Sequence, residues 1–169
     1  MYIWIASSFN IYLLNYTQKY LPGNIFKNVL YSSLADLPVC VVGGLVYHSL
    51  GIRIALSGSY LTAMIGSITL VLFSEANPDI VPVMITFARS GIKATFDICY
   101  LANGTLFPAI FAGTSFGLCN MGAKIATIMS PMLAEVPPPV PMITFTVVAG
   151  MAALLATMII TKDKQNTAK

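Results

Sequence analysis

Apolar residues fall in six long blocks along this chain, over residues 1–18, 28–48, 54–73, 80–103, 112–134 and 141–161. Each block is about 18–24 residues, the length an α-helix needs to cross a hydrocarbon layer of ~30 Å at 1.5 Å per residue. The breaks between them carry turn chemistry. "LPGN" (21–24) pairs Pro with Gly, "SLGIR" (49–53) sets a Gly before an Arg, and "SEANPD" (74–79) collects two acids and a Pro. "FPAIFAG" (107–113) is short and uncharged, while "EVPPPVP" (135–141) is a stiff Pro-rich link. Barrel strands would be about ten residues long with strict alternation, which these blocks lack. The pattern predicts an all-α membrane protein, with a six-helix transmembrane domain over 1–161 and a polar, disordered tail over 162–169.

Composition agrees. The 169 residues are 57% hydrophobic and only 9% charged, against about 25% charged in an ordinary soluble domain. So few charges could not cover a water-facing surface. The net charge of +3 comes without a basic run, which argues against a nucleic-acid partner. Cys40, Cys99 and Cys119 fall in apolar blocks with no metal-ligand spacing and no disulfide framework, and read as packing residues. No metal and no cofactor is expected.

Lys and Arg set the orientation. With a cytoplasmic tail, Lys162, Lys164, Lys169 and Arg53 share that side, and Glu75, Asp79 and Glu135 face the other together with Lys19 and Lys27. Both termini are then cytoplasmic. A span beginning at Met1, with no signal-peptide n-region, implies that the chain is truncated or begins upstream.

The fourth block interrupts its apolar run with "FARSGIKATFD" (87–97). Arg89, Lys93 and Asp97 are spaced i, i+4, i+8. Successive members therefore drift by only about 40° and share one helix face. Lys93 and Asp97 can pair one turn apart. A charge at a bilayer centre costs about 2.5–3.5 kcal/mol even on the lenient scale, so the stripe must face a watery cavity or partner helices. The plainer alternative is a self-neutralised pair that packs the bundle, with Arg89 snorkelling outward. Lys124, in the fifth block, has Asn120, Met121, Thr127 and Ile128 at i±3 and i±4. None of these can neutralise it, so it needs an anionic partner across the bundle, such as Asp36 or Asp97, or an anionic substrate. Asp36 lies just before Pro38, which loosens the helix backbone; coupling and ion pairing both remain open for it. Tyr12, Asn15, Tyr16 and Gln18 give the first span a polar-aromatic face. Gly43, Gly44, Gly58, Gly66, Gly113 and Gly117 are candidates for close helix approach.

Several of these segments resemble one known family. "GLVYHSLGIR" holds Gly44, His48, Gly51 and Arg53 at the spacing of the major facilitator superfamily loop signature, with His48 where the family usually has Asp. "GNIFKNVLYSSLADLP" (23–38) resembles the eighth span of the organic cation/anion transporter branch of that superfamily. "GIKATFDICYLANGTLFP" (91–108) resembles its tenth span, and "GTSFGLCNMGAKIATIMSP" (113–131) its eleventh. In family order they cover nearly the whole chain, matched to the C-terminal six-helix half alone. Thr105 and Ala112 depart from a Glu and an Arg that normally form a cytoplasmic gating contact.

The resemblance implies secondary transport of a small organic solute across the plasma membrane, by alternating access, with this chain as one half. Its partners would be the lipid bilayer, the solute, and a missing N-terminal half or a second copy. It implies a pathway lined by Lys124, Arg89, Lys93, Asp97 and Asp36. It also implies an anionic or zwitterionic solute, because Lys124 falls where anion carriers tend to have Arg. The rival expectation is a non-transporting six-helix fragment or membrane assembly partner. A membrane enzyme is disfavoured: "GTSFG" (113–117) spells a nucleophile elbow, but it opens a membrane helix, and the only histidine is His48 in another loop. "NYT" (15–17) and "NGT" (103–105) are glycosylation sequons by spelling only.

Overall fold

A computed structural model describes residues 1–21, 24–73 and 80–158, and these residues form helices without a strand. Helix α1 spans Tyr2–Thr17 and continues as one 3-10 turn, Gln18–Tyr20. Helix α2 spans Ile25–Phe73, α3 Val81–Leu106, α4 Ala109–Thr127, α5 Met129–Ala134 and α6 Val140–Thr157. The acidic link at 74–79, with Glu75 and Asp79, and the tail with Lys162, Lys164 and Lys169 lie outside the described residues.

Two prolines and one glycine shape these elements. Pro38 sits inside α2, where the missing N–H leaves the carbonyl of Leu34 without its usual partner. Pro131 does the same to the carbonyl of Thr127, and there the fifth apolar block divides into α4 and α5 around Ile128. Gly51 has φ +79° and ψ 166°, a backbone that a β-carbon would strain. The expected loop at 49–53 is therefore a single-residue bend joining two helical arms, 25–50 and 52–73. Gly44 and His48 lie within the first arm and Arg53 within the second.

The core is shared by α1, the second arm of α2, α3 and α6. Leu13, Leu14, Tyr60, Leu70, Ile85, Ile92 and Phe145 are all fully buried. A second cluster joins Trp4, Ile52, Leu56, Ile98 and Ala123. Two of the polar side chains inside are tied to backbone. The Tyr60 hydroxyl donates to the Ile3 carbonyl at 2.7 Å, and Asn10 Nδ2 to that of Phe145 at 3.4 Å. The exterior, by contrast, is apolar: Phe26 and Ile110 are each 85% exposed, and Leu37, Leu154 and Met158 are bare. Contiguous apolar exposure on this scale marks a surface meant for lipid or for another protein. By length and composition two helices among the described residues qualify to cross a membrane, Ile25–Phe73 and Val140–Thr157. Helix α1 has 16 residues, and α3 carries Arg89, Lys93 and Asp97.

Close approach depends on fewer and different glycines than the sequence implied. Gly66 lies against the backbone of Ala88, and a β-carbon there would come 2.7 Å from the Ala88 Cα. Gly91 returns the contact from α3, where a β-carbon would meet the Ser59 carbonyl oxygen at 2.7 Å and the Ala63 Cα at 2.8 Å. A β-carbon on Gly43 would lie 3.6 Å from that of Ala94, an ordinary contact. Gly44, Gly58, Gly113 and Gly117 face open space, so the close approach expected of them is not found among the described residues.

Gly→Ala in a helix ordinarily stabilises by roughly 1 kcal/mol. Gly66→Ala and Gly91→Ala are expected to do the opposite, by about 1–3 kcal/mol, because backbone must move. Gly58→Ala keeps the ordinary sign. Thermal unfolding of the three variants in one detergent checks the contrast.

Candidate functional site

Four helices bring their polar side chains to one side of the bundle. From α3, Arg89 reaches α2 and grips Asp36 with one edge of its guanidinium: Nε donates to Oδ1 at 3.1 Å and Oδ2 at 3.2 Å, and Nη2 donates to Oδ2 at 2.9 Å. Its remaining Nη1 donates to the Asn15 Oδ1 of α1. One side chain thus ties three helices. Planar, two-pronged pairing of this kind is stronger than a point-charge contact and fixes orientation. The pair is mostly sheltered, with 14% and 21% of the two side chains exposed. Arg89 therefore does not snorkel outward, and of the roles open to Asp36 the structure fills that of cross-helix partner.

One turn on, Lys93 Nζ donates to Asp97 Oδ1 within α3, the pairing that i, i+4 spacing allows. The second carboxylate oxygen, Oδ2, is buried with no hydrogen-bond partner. Asp97 borders a pocket with Cys40, Phe96, Tyr100 and Leu101.

Lys124 differs. It is exposed on α4, and its ammonium donates to the Tyr12 hydroxyl of α1 at 2.9 Å, 4.8 Å from that ring's centre. Neither Asp36 nor Asp97 is its partner, so the cross-helix ion pair weighed from sequence is not formed. The two ion pairs found among the described residues are Arg89–Asp36 and Lys93–Asp97. Three cations thus meet two carboxylates, and the unmatched charge is on Lys124.

Beside it lies an aromatic cluster that sequence reasoning missed. Tyr100 packs on Trp4 at 4.7 Å, on Phe96 at 4.8 Å and on Phe116 at 5.3 Å between ring centres, and Trp4 meets Phe116 edge-on at 5.5 Å. The four rings come from α1, α3 and α4. The i, i+4 spacing of Phe96 and Tyr100 was the available signal, but it pairs only two of them. The Tyr100 hydroxyl also reaches Asn120 Oδ1 at 3.5 Å. Together these form an apolar wall with a cation at its edge, able to hold a flat or apolar body that ends in negative charge.

The expected face of α1 is only partly present. Tyr12 and Asn15 join the charged groups, and Tyr16 is exposed, but Gln18 is buried. Thr105 shares a hydrogen bond with Tyr47, a neutral contact between α3 and α2. Asn103 is buried between α3 and α4, bonded to the Ala112 carbonyl and Ser115.

Comparison with known proteins supplies a family context. No protein-family model matches the chain. It is 27% identical over 163 residues to solute carrier family 22 member 3 of Rattus norvegicus, covering 94% of this chain and 30% of that protein. Solute carrier family 22 member 15-like of Xenopus laevis is 26% identical over 167 residues, with 94% and 34% covered. Organic cation/carnitine transporter 2 of Homo sapiens is 23% identical over 133 residues, with 76% and 23% covered. The chain is thus homologous to part of the organic cation/anion transporters of solute carrier family 22, in the major facilitator superfamily, and spans about a third or less of the length of these relatives.

Losing one member of a sheltered ion pair leaves the other uncompensated, at a typical 3–5 kcal/mol for full burial. Asp36→Asn and Arg89→Gln are each expected to destabilise by about 2–3 kcal/mol, the lower figure reflecting partial exposure. The double variant should recover part of that loss, and Arg89→Lys, which lacks the fork, should fall between. Denaturation midpoints of the purified chain read all four.

Proposed function

We propose that this chain is the C-terminal six-helix half of a secondary transporter for a small organic anion or zwitterion. Its spans run over about 1–18, 28–48, 54–73, 80–103, 112–134 and 141–161. Both termini are cytoplasmic and the plasma membrane is its site. Homology to transporters supports the general reading, and the apolar exterior supports the bilayer setting. A second wall, from an N-terminal half or a second copy, completes the pathway along which the halves rock in alternating access.

The observation that carries the substrate charge is the state of Lys124. Among the described residues, Arg89 and Lys93 are each held by a carboxylate, while Lys124 has a neutral hydroxyl alone. An arriving anion need break no ion pair to reach it. A monovalent cation would find Asp36 already held by a guanidinium and Asp97 by an ammonium. The names of some relatives speak of organic cations and carnitine; the local charge balance here favours a solute with a negative end. Arg89, Lys93, Asp97 and Asp36 line the same pathway, the paired groups setting its shape.

Uptake of a labelled aromatic monocarboxylate, by cells expressing the complete reading frame that carries this chain, tests the proposal. Removing a charge-assisted hydrogen bond of about 1.5–3 kcal/mol predicts a loss of roughly 10- to 150-fold in kcat/KM for Lys124→Ala. Tyr12→Phe, which keeps the ring, should cost much less. Unchanged anion uptake in Lys124→Ala, with normal surface expression, refutes the assignment.

A further inference from the structure

Exposure along the second half of α1 alternates in pairs. Leu13, Leu14, Thr17 and Gln18 are buried, whereas Asn15, Tyr16, Lys19 and Tyr20 are exposed and Tyr12 is half-buried. Steps of three and four residues keep the second set on one helix face. A single polar-aromatic strip therefore runs from Tyr12 to the 3-10 turn that ends the element. Its inner part already holds two cations, since Tyr12 accepts from the Lys124 ammonium and Asn15 from the Arg89 guanidinium. Lys19 stands at the outer end, a rise of about 10 Å from Tyr12.

Lys19 and Lys124 have similar surroundings. Each ammonium lies over a tyrosine ring of this strip, Lys19 at 4.5 Å from the centre of Tyr20 and Lys124 at 4.8 Å from that of Tyr12. Among the described residues neither has a carboxylate within ion-pair distance. Glu135, at the end of α5, is the described carboxylate that acts on Lys19, from beyond that distance. The strip thus presents two such cations in line, one just past the end of the first span and one deeper, with the exposed Asn15 and Tyr16 between them. Lys27, the third residue of α2, is exposed as well. It is nine residues from Asp36, and nine steps of 100° put it on the opposite face of that arm. Lys27 therefore points away from the Arg89–Asp36 pair and the polar side it belongs to.

We propose that Lys19, with the rings of Tyr16 and Tyr20, forms an outer capture site for organic anions, from which the solute moves along the strip to Lys124. The inference rests on the anion reading above and deepens it. The spacing of the two cations is close to the screening length at physiological salt, about 8 Å. A cleft carrying charge of one sign between low-dielectric walls focuses the field and concentrates the opposite ion at its mouth. An anion at Lys19 breaks no ion pair on arrival and meets a second cation as it leaves. The tyrosine rings offer an apolar surface to its flat body. Capture of this kind lowers KM and leaves kcat unchanged.

The test uses the complete protein that carries this chain, reconstituted in phosphatidylcholine vesicles, with labelled benzoate as the solute. Losing one water-facing charge predicts a rise of about fivefold in KM for Lys19→Gln at about 0.01 M salt, with kcat unchanged. At about 1 M salt, where the screening length is about 3 Å, the rise should vanish. Lys19→Arg, which keeps the charge, should recover most of it. Lys27→Gln removes the same charge from the opposite face and should leave KM where it was. An equal KM rise in Lys27→Gln would mean attraction by overall charge and overturn the site. An unchanged KM in Lys19→Gln at low salt, or poorer membrane insertion as its sole effect, overturns it too and leaves Lys19 an interfacial anchor. In both cases a loss of uptake in Lys124→Ala keeps the proposed function standing. No benzoate uptake by the unmodified protein, or uptake indifferent to Lys124→Ala, refutes the anion reading and the capture site with it.

Discussion

A guanidinium among helices has five donors to satisfy and a charge to neutralise, and the arrangement around Arg89 follows from that requirement. Asp36 takes the charge and Asn15 one of the remaining donors. Because these partners sit on α2 and α1, meeting the needs of one side chain fixes the relative position of three helices. The polar side of the bundle is organised around this point. Lys93 and Asp97 continue it along α3, and α4 brings Lys124 to its edge against Tyr12.

Backbone contact holds the opposite side. Gly66 against Ala88, and Gly91 against Ser59 and Ala63, let α3 and the second arm of α2 touch main chain to main chain. In lipid, where apolar side chains gain little by leaving one kind of hydrocarbon for another, such packing is a principal source of helix association. The two devices divide the labour. Close packing sets how near the helices come, and the ion pair sets how they are turned.

Much of this was legible in the residues. The all-α reading agrees with the helices of the described residues, i, i+4 spacing anticipates the Lys93–Asp97 contact, and the family resemblance agrees with the homology found. Partner choice across helices was less accessible, because it depends on rotation about each helix axis. Asp36 and Asp97 were both open as partners of Lys124, yet Arg89 holds the first and Lys93 the second. Gly43 and Gly44 were both expected to pack, but only Gly43 does, since one residue turns the face by 100°. Gly91 went unnoticed between charged neighbours. The four-ring cluster was hard to read for the same reason: Trp4, Phe96, Tyr100 and Phe116 come from three helices, and local spacing relates only Phe96 and Tyr100.

The two ion pairs of α3 differ in one respect that geometry makes absolute. Lys93 and Asp97 ride on the same rod, so no sliding or tilting of one helix against another can pull them apart. Arg89 and Asp36 ride on two, and every change in the angle between α2 and α3 is written into their separation. Along a single helix the protein thus carries a fixed dipole, one turn away from a strain gauge.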